Sequence, residues 1–463
     1  VCPYHAWSYE PSGELHGGPN LKAVPGFDPS TVRLAEVRVE DFHGFLFVNL
    51  DPDAEPMTRR ELVSLTQMAV VLKIAAVFLH IYWIDNFQNK VADLYIYHDF
   101  GLQYAEMASS GGIERIEYAG RGTDNFINTM GWFYVFLGTN IYVQSILMGL
   151  FAVTGYALTA KAARMVLPVE RHRVVTKLLL FAPSLVFWTA AIGKDAMLST
   201  AIGGFLLGTA IATDGKNPGK GMTIATLCLL FISAIRPHVS VALVGAVLAG
   251  LVLHRAPESE IRGKNVKPAV MVAGLFALVF VASQLESVAG ISLNVGELNE
   301  AAQDTQGTRE ESGGTLLAFA GAVTNPLQIP IAIVTTLFRP LIFDAYLGPQ
   351  ILGQSIEGTA LFTIALLNLR RRAEWVARIR ASETLSIAFF YLLFCSIGFA
   401  AIINAGTLAR QRAQWLPALI VLLCVVKWTK PTPQELRAPI DLGAEEPAGS
   451  ATKANLRRPA SLW

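Results

Sequence analysis

From Met57 onward the chain is a succession of apolar stretches, each close to the ~20 residues that an α-helix needs to cross the hydrocarbon of a bilayer. No other feature restricts the fold as strongly. Lipid offers no hydrogen-bond partner to an open backbone, so only helices or closed barrels satisfy their own polar groups there. Composition agrees: 52% of residues are hydrophobic and 16% charged, with a mean hydropathy of +0.43, where soluble domains carry about 25% charge. The expectation is a mainly α, polytopic membrane protein of about ten spans, near 62–84, 131–157, 174–193, 196–213, 221–236, 238–254, 267–286, 349–369, 383–404 and 412–428.

Short basic loops belong on the cytoplasmic side. They are "TAKAARMVLPVERHRVVTK", "HRAPESEIRGKNVK" and "LRRRAEWVARIR". That assignment puts both termini in the cytoplasm and turns the acid-leaning loops 85–130 and 287–348 outward. Segment 315–343 is apolar but holds Pro326, Pro330 and Pro340, and reads as re-entrant, with an eleventh span as the alternative. Residues 429–463 have no apolar period and read as a disordered cytoplasmic tail. A net charge of +1, with no basic run interleaved with aromatics, excludes nucleic acid as a partner.

Residues 1–56 are a different material, rich in Pro, Gly and charge, with short alternating runs that predict strands and turns. They open "VCPYHAWSYEPSGEL", in which Cys2 and His5 stand three apart and Trp7 follows, and they close "FHGFLFVNLDPDAEP". Both stretches resemble the C-terminal half of the Rieske [2Fe-2S] domain of ring-hydroxylating oxygenases. The resemblance implies a short β-rich fragment with Cys2 and His5 as metal ligands, in a centre that needs two thiolates and two imidazoles. The family's first Cys-x-His pair and its mononuclear-iron domain have no counterpart in the sequence, and Cys228, Cys395 and Cys424 sit in apolar runs as inert residues. A [2Fe-2S] cofactor is therefore expected only if a second Cys/His pair comes from outside this chain, and otherwise none. "MTRREL" at Met57 also reads as a membrane protein's own start, and the expectation is that 1–56 is a truncated, non-functional Rieske-like fragment fused to the membrane domain.

In the membrane region (57–428) the informative residues are ionisable groups at span ends, since charge near hydrocarbon is costly. Asp93 and His98 lie in "DLYIYHDFG", Lys194 and Asp195 in "FWTAAIGKDAM", Arg236 and His238 in "IRPHV", Arg339 in "LFRPLIFDAY", and Arg410 and Arg412 in "LARQRAQW". Arginine and lysine suit phosphate oxygens and a carboxylate suits general-base work. The expectation is catalytic Asp93, His98 and Asp195, with lipid-phosphate binding by Lys194, Arg236, His238, Arg339, Arg410 and Arg412.

At these residues the chain resembles bacterial multi-pass glycosyltransferases and polysaccharide polymerases of the GT-C-like and O-antigen-polymerase-like kinds, over residues 60–430. The resemblance implies glycosyl transfer from a polyprenyl-linked sugar donor at the outer face of a bacterial inner membrane. Two other readings stay open: a transporter or flippase of a lipid-linked anion, and a membrane-anchored Rieske oxidoreductase.

Overall fold

In the computed structural model the described residues are 7–10, 12–19, 28–34, 38–42, 45–49, 57–87, 92–118, 121–213, 217–253, 326–347, 349–400 and 405–429. Cys2, His5, the expected span 267–286, most of the expected outer loop 287–348 and the tail after residue 429 lie outside them. The backbone separates into two units, Val1–Leu65 and Thr66–Trp463.

The first unit carries two antiparallel hairpins. β1 (Ser8–Tyr9) pairs with β2 (Leu15–Gly17), and the turn between them uses Gly13 at φ 86°, a backbone conformation that costs glycine little. Trp7, directly before β1, lies over Gly18, where a Cβ would stand 2.5 Å from its ring. β3 (Arg38–Phe42) pairs with β4 (Phe45–Asn49) in register from Arg38↔Asn49 to Phe42↔Phe45. Within the expected strands "VRLAEVRVED" and "GFLFVNLDPD", the described residues thus form one ribbon.

The second unit is helical, and α1 (Met57–Phe87) runs into it from the first. Next come α2 (Asp93–Ser109), α3 (Arg121–Leu137), α4 (Ile141–Val166), α5 (His172–Phe181), α6 (Pro183–Trp188), α7 (Lys194–Thr213), α8 (Pro218–Ile235) and α9 (Pro237–Leu253). After the gap in the described chain follow α10 (Ile329–Phe338), α11 (Pro349–Asn368), α12 (Arg372–Ala381), α13 (Glu383–Gly398), α14 (Ala405–Arg412) and α15 (Leu416–Leu423).

Helix α7 is the core. Its apolar window is 78% buried, against 22% in α1 and 17% in α8, so those two helices keep apolar faces turned outward. Small residues let the neighbours of α7 approach closely. A Cβ on Gly155 of α4 would fall 2.2 Å from the Ser199 carbonyl, and one on Gly221 of α8 would fall 2.3 Å from the Ala212 amide.

Ten spans is too many. Among the described residues four helices are long and apolar enough to cross a membrane: Arg60–Phe87, Ile141–Val166, Lys194–Thr213 and Pro218–Ile235. A fifth is reached if Leu352–Ala381 and Glu383–Gly398, bent by 109°, count as one. Hydropathy overcounts because it ignores breaks. The expected span 131–157 is cut at Gly138, which has φ 87°, and at Asn140, whose side chain caps α4 by accepting from the Tyr142 and Val143 amides. The expected span 174–193 is cut by Pro183 and ends at Trp188. In 412–428 the α-helical residues are Arg412, which ends α14, and the eight of α15, and α10 has ten residues, so none of these makes a crossing. Conversely, the expected loop 85–130 contains α2 and most of α3. Their contact is made by Tyr134 over Gly101 and Tyr104 over Gly131. Several long apolar helices remain, as a multi-pass membrane protein requires.

Candidate functional site

The break between α6 and α7 builds the site. The last carbonyls of a helix have no partner within it, and here α1 supplies them. The Lys73 ammonium donates to the Leu185 and Val186 carbonyls at 2.8 Å each and to the Thr189 hydroxyl at 2.9 Å. One face further along α1, His80 Nδ1 lies 2.8 Å from the Phe187 carbonyl, which places the proton on that nitrogen. Lys73 is only 2% exposed, so its charge stands on these three acceptors. Tyr156 and Thr189 share a hydrogen bond of 3.1 Å and Ser199 bonds the Asp195 carbonyl at 2.8 Å, so the turn is held from both sides.

Beyond the turn, α7 begins with Lys194 and Asp195. A cavity of about 320 Å³ lies here, lined by Asp93, Lys194, Asp195, Arg236 and Arg410, with His80, Tyr97 and Trp188 among its walls. Each charged group comes from an element end: Asp93 opens α2, Lys194 and Asp195 open α7, Arg236 closes α8 and Arg410 lies in α14.

The carboxylates knit these ends together. Arg410 Nη1 donates to Asp93 Oδ2 at 2.5 Å, and its Nε is 3.6 Å from Asp195 Oδ2. Asp195 Oδ1 lies 3.1 Å from Arg236 Nη2 and accepts from Gln414 Nε2 at 3.1 Å. Arg236 also donates to Gln411 Oε1, as Gln414 does at 2.5 Å. Lys194 Nζ donates to the Thr123 hydroxyl at 2.6 Å. Burial works against the charge of Arg410, but Asp195 and Asp93 outweigh it and hold its pKa above the ordinary arginine value. Burial first, and then the Asp93 charge, raises the Tyr97 phenol, which stays neutral.

The structure thus brings five of the sequence-predicted residues around one cavity and leaves four elsewhere. His98 turns its Nδ1 to the Tyr134 hydroxyl at 2.7 Å. His238 packs edge-on against Phe399. Arg339 closes its own turn, donating through Nε and Nη2 to Asp344 at 3.0 and 2.5 Å, with both residues buried. Arg412 is 1% exposed; its Nε and Nη2 have no hydrogen-bond partner among the described residues, and burial lowers its pKa to about 10 against the pull of Glu357. Sequence reasoning passed over Lys73 and His80. Their signal was present, since they stand seven residues apart on one face of an apolar helix, where ionisable groups are rare.

Among the described residues no group of three or more His, Cys, Asp or Glu is arranged to hold a metal ion. Cys228, Cys395 and Cys424 belong to the helical unit, the last two buried. A complete Rieske ligand set is therefore not furnished by this sequence: beside Cys2 and His5 it offers no second thiolate and imidazole at family spacing.

No protein-family model matches the chain. No solved structure matches it either. Curated proteins do match over a short stretch. The chain is 43% identical over 54 residues to the carnitine monooxygenase oxygenase subunit of Escherichia coli (strain K12), covering 12% of this chain and 14% of that protein. It is 40% identical over 60 residues to the large oxygenase component of the 2,4-dinitrotoluene dioxygenase system of Burkholderia sp. (strain RASC), covering 12% and 13%. The same figures hold for the large oxygenase component of the naphthalene 1,2-dioxygenase system of Pseudomonas putida. The chain therefore spans about one seventh of the length of the relatives it matches.

These matches overturn the glycosyltransferase and polysaccharide-polymerase expectation, because they are to oxygenase subunits and nothing found supports a sugar-transferring domain or a sugar donor. The physical reason is that the short motifs behind it, "GKD", "RPH" and "FRP", are helix ends held by ion pairs, a pattern that any broken-helix membrane protein needs. The chain shows distant, partial homology to the Rieske-type ring-hydroxylating oxygenase family.

Proposed function

We propose that this chain is a membrane-held relative of the Rieske-type oxygenases. Its N-terminal segment contributes one Cys/His pair, Cys2 and His5, to an iron–sulfur centre, and its long apolar helices keep that segment at a bilayer. The observation that carries the reading is the 43% identity over 54 residues, close to the length of the 56-residue segment that opens with Cys-x-x-His. A [2Fe-2S] group of this type transfers single electrons. One thiolate and one imidazole do not fit a whole cluster, so the remaining ligand pair comes from outside these 463 residues. The matched relatives are named for carnitine, dinitrotoluene and naphthalene, chemically unlike compounds, so the shared segment speaks for the redox module and not for a substrate.

The test is the iron and acid-labile sulfide content of the full chain, isolated in mild detergent from the membranes that produce it with its co-purifying partners. The expected result is two irons and two sulfides per centre with a Rieske-type electron paramagnetic resonance signal, both lost in Cys2→Ser and His5→Ala. Iron-free protein that still carries its partners would overturn the reading.

A further inference from the structure

The cavity at the α6–α7 break is not explained by an iron–sulfur module, and its charge does not balance. Lys194, Arg236 and Arg410 face it against Asp93 and Asp195, three cations to two carboxylates, with His80 turned through Nδ1 to a carbonyl. Arg410 lies between both carboxylates and Arg236 takes a share of Asp195. Lys194 is the cation left over. Among the described residues its ammonium has a hydroxyl, that of Thr123, and no carboxylate within ion-pair distance. Asp195 is buried while Asp93, Lys194 and Arg410 are part-exposed, and a bound anion balances the one positive charge in excess around this cavity.

The shape narrows the class of anion. About 320 Å³ is at the lower end of the range for small-molecule sites, about 300–1,000 Å³, and exceeds what a bare halide needs. Two guanidinium groups and an ammonium converge from three separate elements, the donor set that suits phosphoryl oxygens. The positive end of the α7 dipole adds to them at Lys194. The lining also includes apolar and aromatic side chains, among them Ile84, Leu94 and Trp188, which would take the group esterified to the phosphate.

We infer that this cavity is a binding site for a singly charged phosphoryl group, either a phosphodiester lipid headgroup or a free phosphate, with Lys194 and Arg410 as its direct ligands. Lys73 and His80 act as positioning residues, since they fix the end of α6 against which the site is built. The inference stands apart from the iron–sulfur reading and survives its failure.

The probes are inorganic phosphate and phosphatidylglycerol, tested on the full chain. Radiolabelled phosphate binding is measured by equilibrium dialysis in detergent. It is then repeated in nanodiscs of pure phosphatidylcholine and of phosphatidylcholine with phosphatidylglycerol. The expected result is saturable binding of one phosphate per chain, weakened at least tenfold in Lys194→Met and in Arg410→Gln, with unchanged elution as a single species. Loss of phosphate binding in phosphatidylglycerol discs alone identifies a lipid headgroup as the ligand, and undiminished binding identifies a soluble phosphate. Absence of saturable phosphate binding in detergent, or a well-folded Lys194→Met that binds like the parent chain, would overturn the inference.

Discussion

At the scale of single residues the second unit depends on polar side chains that satisfy the ends of broken helices. Lys73 is the strongest example: a cation on an apolar helix, held by two carbonyls and a hydroxyl of another segment. His98 is a milder one and gives a pH prediction. Burial lowers its pKa below the usual 6.5, with Asp99 opposing, and it accepts or donates to the Tyr134 hydroxyl as a neutral ring. Between the folded value and 6.5 the unfolded chain binds the extra proton, so stability rises with pH in that window. The contribution is complete above about pH 6.5 and is lost as the pH falls through the folded value. In detergent, the thermal midpoint of the parent chain should drop from pH 7 to pH 5 more than that of His98→Asn. Parallel curves for the two proteins would show that His98 does not titrate in this way.

Among elements, the decisive contact is α4 against α7. Gly155 and Gly203 face each other there, and a Cβ on Gly203 would lie 2.1 Å from the Gly155 carbonyl oxygen. Backbones that close gain van der Waals contact but leave no room for a side chain. Gly155→Val should therefore separate the two helices and destabilise the helical unit by about 1–3 kcal/mol, as overpacking does, read as a lower thermal midpoint and a loss of monodisperse protein. Gly353, where an added Cβ would meet no neighbouring segment within 4 Å, provides the control: Gly353→Ala should leave both measurements unchanged. The same packing explains why α7, the most buried of the four long apolar helices, carries Lys194 and Asp195 at its first turn. Only an element fixed on all sides can hold charges in register with Arg236 and Arg410, which arrive from α8 and α14.

For the whole molecule, four or five helices among the described residues that are long and apolar enough to cross a membrane, with the hairpins of the N-terminal unit, predict behaviour in bulk. Apolar faces on α1 and α8 are turned outward, with Met68, Val71, Phe78 and Leu227 exposed. In water such a surface aggregates, whereas in a bilayer it meets acyl chains. The full chain should stay in the membrane pellet after carbonate washing and leave it only with detergent; recovery in the wash would contradict membrane integration.

Much of this was legible in residue order alone. Long apolar runs require helices in lipid whatever they pack against, and the likeness of the first 56 residues to oxygenase subunits is carried by contiguous residues, so both are readable in order. Where residues of 1–56 are described, parts of the alternating segments form strands, since strand periodicity is local. The number of spans was not legible: Pro183, Gly138 and the Asn140 cap divide apolar runs into pieces that a hydropathy window joins. Nor was the partition of the charged turns. "GKD" and "RPH" look alike in sequence, yet Asp195 and Arg236 meet at 3.1 Å while His238 turns to Phe399. Which element ends converge is fixed by packing between residues that lie from 41 to over 300 positions apart, as Asp195 is from Arg236 and Asp93 from Arg410. The sequence by itself determined long apolar helices and a short segment that resembles a Rieske-type oxygenase; only the tertiary structure decided that five charges share one cavity, because long-range contacts leave no periodic trace.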